Sequence, residues 1–262
     1  MARLRRFLVV FGLLLIPGGA FVLWPGRHPP AGAQTAQPLQ SSISPSQSPA
    51  IQEGQLLFQE HCATCHGEQA QGSSLAPAIV GRGPAVWDFM LSTGRMPIDR
   101  IVTQATRKEP AFNRAQIDSI IAFLSSLSAP GTGTPIPNVR PNEGSLSGGA
   151  EVFQANCAPC HGATGNGGAV GMATAPNLHK ATATQIGEAV RIGPGFMPLF
   201  GPNTISDQQL NSLARYVLTL RNPDDPGGGG LGHTGPIIEG FVALLAGLGV
   251  MVIVTRFIGT RR

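Results

Sequence analysis

The chain of 262 residues has four cysteines, and all four fall in two copies of one frame: Cys62–Ala63–Thr64–Cys65–His66 and Cys157–Ala158–Pro159–Cys160–His161. No other feature constrains the fold so tightly. Two thiols separated by two residues, with a histidine directly after the second, is the pattern by which a polypeptide attaches haem covalently. Both thiols add to haem vinyl groups, and the adjacent imidazole ligates the iron. The same thiols could instead hold zinc or cycle through a disulfide. A zinc site would need ligands pooled from both copies, and nothing else in the sequence brings them together. The reading is therefore two covalently bound haem c groups, attached through Cys62, Cys65, Cys157 and Cys160, with His66 and His161 as iron ligands.

The frames sit inside a longer repeat. Gly54 and Phe58 precede the first as Gly149 and Phe153 precede the second, and Gly67 and Gly162 follow the two histidines. Later, Gly94–Arg95–Met96–Pro97 matches Gly195–Phe196–Met197–Pro198. A proline holds the residue before it in extended backbone, so both methionines are offered from Gly-flanked loops at matching places. That symmetry favours Met96 and Met197 as the sixth ligands over the core packing that is a methionine's ordinary role. Met/His ligation suits electron transfer. Met90 reads as core and Met172 as loop. His179 is a competing ligand for the second iron. His28, His61 and His233 have no counterpart in the other copy and read as surface or linker residues.

Each copy ends in an amphipathic helix. Ile117, Ile120, Phe123, Leu124 and Leu127 carry the apolar stripe of the first, and Leu210, Leu213, Tyr216, Val217 and Leu220 that of the second. Both open on a capping signal, Asn113 with Gln116 and Ser206 with Gln209. Gly54 and Gly149 are expected to let the first helix of each copy cross the last closely, with Phe123 or Tyr216 against Phe58 or Phe153. A repeat of about 75 residues buries little core alone. A largely apolar haem would supply the missing interior.

The two ends differ from the middle. Residues 7–24 are uncharged and mostly apolar behind Arg3, Arg5 and Arg6. This stretch reads either as a signal peptide cut after Ala33 or as an uncleaved anchor of about the minimum spanning length, the second being favoured. Pro236 to Ile258 is apolar apart from Glu239 and Arg256 and suits a spanning helix. Gly240, Gly247 and Gly249 would admit a neighbouring helix; a simple lipid-facing anchor is the alternative. Arginines outside both segments place both termini in the cytoplasm, if the first is uncleaved, and the haem domains on the extracytoplasmic side of the cell membrane. Seven of the 18 Lys and Arg lie at these ends, so the middle has fewer cations than the 14 acids of the chain. It has no basic face for a nucleic acid. The resulting plan is an anchor or signal segment at 1–27, a linker at 28–50, a haem domain at 51–128 and a linker at 129–146. A second haem domain follows at 147–222, then a Gly-rich linker at 223–235 and a transmembrane helix at 236–259.

These residues resemble two class I cytochrome c domains in tandem, an all-α fold with a membrane helix at each end. More narrowly, the chain resembles the di-haem cytochrome c subunit of the actinobacterial-type menaquinol:cytochrome c oxidoreductase, the bcc complex. The resemblance rests on the tandem motifs, residues 92–97 and 193–198, the glycine run 227–230, and Gly235–Pro236 with Glu239–Gly240 opening the last helix. Gly162 to Lys180 is only loosely similar. The resemblance implies His66 and Met96 on the first iron, and His161 and Met197 on the second. It implies an electron-transfer subunit of a quinol–cytochrome c reductase, without a catalytic site of its own. Its partners would be a cytochrome b subunit, a Rieske iron–sulfur subunit and a terminal cytochrome c oxidase. Two other readings stand beside it. A membrane-tethered electron shuttle, or the c-type subunit of another oxidase complex, would use the same haem chemistry. A di-haem peroxidase would need one iron with an open site, which matching Met-Pro loops in both copies oppose.

Overall fold

The computed structural model describes residues 48–223 and 236–259. The N-terminal apolar segment, nearly all of the linker behind it and most of the Gly-rich stretch before the last helix lie outside the described residues, as do His28 and His233.

The first repeat is built on α1 (Pro49–His61), α2 (Ala63–His66), α3 (Pro84–Ser92) and α4 (Arg114–Ser126). Helix α1 starts where Ser48 caps it and Pro49 supplies a preset φ. Helix α4 opens on a reciprocal capping box, Asn113 with Gln116, as its sequence predicts. The second repeat follows the same plan with α5 (Leu146–Asn156), α6 (Ala158–His161), α7 (Ala183–Ile192) and α8 (Asp207–Thr219). Thr182 with Gln185 and Ser206 with Gln209 close capping boxes on α7 and α8.

In each repeat the first helix crosses the last, and a glycine sets how closely. A Cβ on Gly54 would lie 1.8 Å from the Ser119 carbonyl oxygen, and one on Gly149 2.0 Å from that of Ser212. Next to these crossings Phe58 meets Phe123 with ring centroids 5.4 Å apart, and Phe153 meets Tyr216 at 5.3 Å. Both phenylalanines are fully buried. The glycine–aromatic pairing thus fixes the frame on which each CxxCH helix sits.

One departure from an all-α fold is present. After the second CxxCH frame the chain forms a short antiparallel hairpin, β1 (Gly168–Val170) with β2 (Ala173–Ala175). Gly171, with φ of 58°, turns it at Met172. The expected loop becomes strands because small residues let two three-residue segments pair directly, Gly168 opposite Ala175.

The two repeats are packed against each other. Helix α3 lies on α7. The Gln185 amide donates to the Ser92 carbonyl at 3.2 Å and accepts from Arg107 at 2.9 Å. Gln104 donates to the Thr174 carbonyl on the hairpin. At the centre of this contact are two acids. Asp88, on α3, is almost fully buried and accepts from Arg114 at 2.6 Å. Glu188, on α7, is fully buried, and neither of its oxygens finds a donor among the described residues. As a carboxylic acid it has a proton to give, and Asp88 is its neighbour. Burial, with the Asp88 carboxylate beside it, pushes Glu188 up to about 9, against the opposing pull of Arg114.

The folded state therefore holds a proton that the unfolded chain releases near pH 4.5. Stability from this group is fully present below that value and is lost as pH rises towards about 9. Glu188→Gln keeps the shape and removes the titration. The melting temperature of the haem-loaded wild type should fall more steeply across this range than that of the variant. Parallel profiles would remove Glu188 as the source.

Helix α9 (Pro236–Gly259) stands apart in character. Its stretch Ile238–Gly259 has 22 residues and a mean hydropathy of 2.3, and its apolar side chains are exposed. At 1.5 Å per residue it is long enough to cross a hydrocarbon core of roughly 30 Å.

Candidate haem sites

Each CxxCH frame folds as one short helix that starts directly behind a longer one. Cys62 is both the end of α1 and the cap of α2, and Cys157 plays the same part between α5 and α6. The His66 and His161 amides bond back to the Cys62 and Cys157 carbonyls. This single turn draws both thiols and the imidazole together. Gly67 and Gly162, with φ of 77° and 75°, then reverse the chain.

Both histidines are buried, at 9 % and 7 % exposure. The Nδ1 of His66 bonds the Pro77 carbonyl at 2.8 Å, and the Nδ1 of His161 bonds the Pro176 carbonyl at 2.9 Å. A carbonyl can only accept, so Nδ1 carries a proton, and Nε2 is the nitrogen left to face a metal. That is how a metal-bound histidine is held in tautomer and orientation. Burial also lowers His161, against the opposing pull of its bond to the Pro176 carbonyl. Cys62 and Cys157 are pushed up to about 11, first by burial and then by the second cysteine of each pair. Such thiols stay protonated at neutral pH and make poor redox or zinc-binding thiolates. Among the described residues, no group of three His, Cys, Asp or Glu side chains is placed to hold a metal ion.

Both candidate methionines pack on the core of their own repeat. Met96 is half-buried and packs against the first core, as Cys62 does, and Met197 is half-buried against the second core, which includes Cys157. A largely apolar cavity of about 310 Å³ is lined by Cys157, His161 and Met197, with Phe153, Leu213 and Val217 behind them. Its donor set suits a flat apolar group bearing a metal. Met90, Met96, Arg95 and Arg107 of the first repeat line it as well. His179 does not share this placement: its Nε2 bonds the Thr164 carbonyl at 2.8 Å. Met172 is fully exposed at the hairpin turn, and His61 packs edge-on to Phe112.

Residues 51–128 match the family described as cytochrome c, and residues 144–217 that described as cytochrome C oxidase, cbb3-type, subunit III. The cytochrome bc1 complex cytochrome c subunit of Mycobacterium tuberculosis (strain ATCC 25618 / H37Rv) is 35% identical to the chain, over 99% of the chain and 93% of that protein. The subunit of the same name from Mycobacterium leprae is 34% identical over 88% and 82%, and that from Corynebacterium diphtheriae 32% identical over 93% and 90%.

The chain belongs to the family of cytochrome bc1 complex cytochrome c subunits.

For a member of that family, two attachment frames in two cytochrome c domains fit two covalently bound haem c groups. The carbonyls that orient the histidines were missed by sequence reasoning. The signal was present, since Ala76–Pro77 and Ala175–Pro176 are the same dipeptide. It was hidden by register: Pro77 lies 11 residues beyond His66, whereas Pro176 lies 15 beyond His161. The β1–β2 hairpin occupies the longer gap. Arg95, Arg107, Asp88 and Glu188 were also not singled out, because only the packing of one repeat on the other makes them special.

Proposed function

We propose that this subunit relays electrons within a respiratory quinol–cytochrome c reductase. It takes them from a Rieske iron–sulfur subunit and passes them towards a terminal cytochrome c oxidase, with a cytochrome b subunit in the same assembly. The observation that carries the reading is the paired site: a buried histidine with its Nδ1 spent on a proline carbonyl, and a half-buried methionine packed on the core of the same repeat, occurring twice. The relatives' names supply the assembly. Residues 51–128 and 147–222 are the two haem domains. His66 and Met96 ligate the first iron, and His161 and Met197 the second. Each haem, when bound, takes up and gives up one electron at its iron. The protein's part is to hold the ligands in place, to orient His66 and His161 through their Nδ1 bonds and to keep water from the iron. Helix α9 anchors the subunit, and residues 7–24 form a second anchor, with the haem domains on the extracytoplasmic side.

A second reading, the c-type subunit of an oxidase complex, draws on the second-domain match and on the FixP subunit of a cbb3-type oxidase from Azorhizobium caulinodans. That protein is 29% identical over 64% of the chain. Purification of the tagged chain in gentle detergent, with mass spectrometry of its companions, separates the two. A cytochrome b and a Rieske protein are expected. Copper-oxidase subunits without them would favour the second reading, and the haem protein alone would favour a tethered shuttle.

A further inference from the structure

Matching loops in the two repeats differ at one position that bears charge. Before Met96 stands Arg95; before Met197 stands Phe196, which is mostly exposed. The second methionine loop therefore brings no cation to its own haem pocket. Two cations reach that pocket from the first domain instead. Arg95 and Arg107 both line the cavity that contains Cys157, His161 and Met197. Arg107 is positioned by its bond to Gln185 of the second domain, at 2.9 Å. Arg95 lies over the Phe89 ring, 4.8 Å from its centroid, and its Nη1 is buried without a partner among the described residues. Glu109 is the acid that acts on Arg107, and Arg221 adds a further positive charge nearby. Two guanidinium groups side by side repel, and a buried donor without an acceptor is costly. One anion between them would relieve both. A guanidinium fork matches a carboxylate in shape as well as charge, and the group whose pocket this is carries two carboxylates.

We propose that Arg95 and Arg107 of the first domain clamp the propionate carboxylates of the haem attached to the second domain. The proposal rests on the reading of both CxxCH frames as haem sites. It gives the two domains a shared charge contact: the second haem is completed by the first domain, and its potential depends on how they pack. Positive charge near a haem favours the reduced state, so Arg95 and Arg107 would raise the potential of the second haem in particular.

The test uses the full-length, haem-loaded protein. Met197→His first identifies which wave of the potentiometric titration belongs to the second haem, because that wave alone moves. In the wild-type background, Arg95→Gln with Arg107→Gln should shift the reduction equilibrium of the second haem about tenfold towards the oxidised form, a fall of ~59 mV. Arg95→Lys, which keeps the charge, should retain most of the wild-type value. A shift confined to the first haem would overturn the proposal by assigning the clamp to that haem's own propionates. No shift in either wave, with two haems still bound per chain, would also overturn it while leaving the haem reading intact. Fewer than two haems in the wild type would instead overturn that reading, and the proposal with it.

Discussion

Replacing Met197 with alanine should lower the reduction potential of the second haem by a sizeable part of the roughly 0.8 V over which axial ligands set it. A thioether stabilises ferrous over ferric iron, so its loss favours the oxidised state. The side chain sits against the second core and lines the same cavity as His161, and the competing histidine is engaged elsewhere: the His179 Nε2 is held by the Thr164 carbonyl. The vacated position should therefore bind added carbon monoxide or imidazole, which the closed wild-type iron excludes. Met96→Ala should do the same to the first haem. Potentiometric titration with and without carbon monoxide reads both effects. Unchanged potentials and no ligand binding in either variant would remove the methionines from the iron.

The second large effect concerns a residue with no chemistry. Gly149→Ala puts a methyl group 2.0 Å from the Ser212 carbonyl oxygen and 2.8 Å from the Tyr216 Cβ. Backbone cannot give way as a side-chain tip can, so α5 and α8 must separate, and the Phe153–Tyr216 contact loosens with them. Overpacking of this kind costs about 3 kcal/mol. A domain of this size has stability on the order of 5–10 kcal/mol, so the loss is a large fraction of the whole. The expected result is a chain with half the normal haem content or a sharply lower melting temperature. The control is the preceding residue. A Cβ on Gly148 meets only the Ser145 hydroxyl oxygen and Cβ, at 3.4 and 3.8 Å. Gly148→Ala should thus be neutral or stabilise the helix by roughly 0.5–1 kcal/mol. Equal effects at the two positions would contradict the close-crossing explanation.

Legibility in the sequence followed the range of the interactions. The capping boxes on α4 and α8, the amphipathic stripes and the Gly–Phe spacing are local patterns, and the structure bears each of them out. The repeat is also what singled out Met96 and Met197 as candidates, because two copies of a Met-Pro loop are hard to read as coincidence. The hairpin was not legible: its strands are three residues each, too short for an alternating pattern to register. Contacts between the domains were illegible for a different reason. Asp88 and Glu188 look like ordinary solvent-facing acids on short helices, and become buried only because α3 and α7 pack together. Residues 129–146, read as a linker from their Pro and Gly content, are tied down at both ends. Thr134 exchanges backbone bonds with Arg82 and Ala85, and the Arg140 amide donates to Asn211. Composition reports a Pro- and Gly-rich strap, here with one 3-10 turn at Pro141–Glu143, but not where its hydrogen bonds go.

The measurement closest to the central claim is quinol-driven reduction of both haems in the assembly that accompanies the tagged chain through gentle detergent. The expected result is that a quinol reduces the two haems of this subunit, and that they are reoxidised when an oxidase and oxygen are supplied. If quinol reduced the cytochrome b while both haems of this chain stayed oxidised, the relay from quinol to oxidase would not run through it.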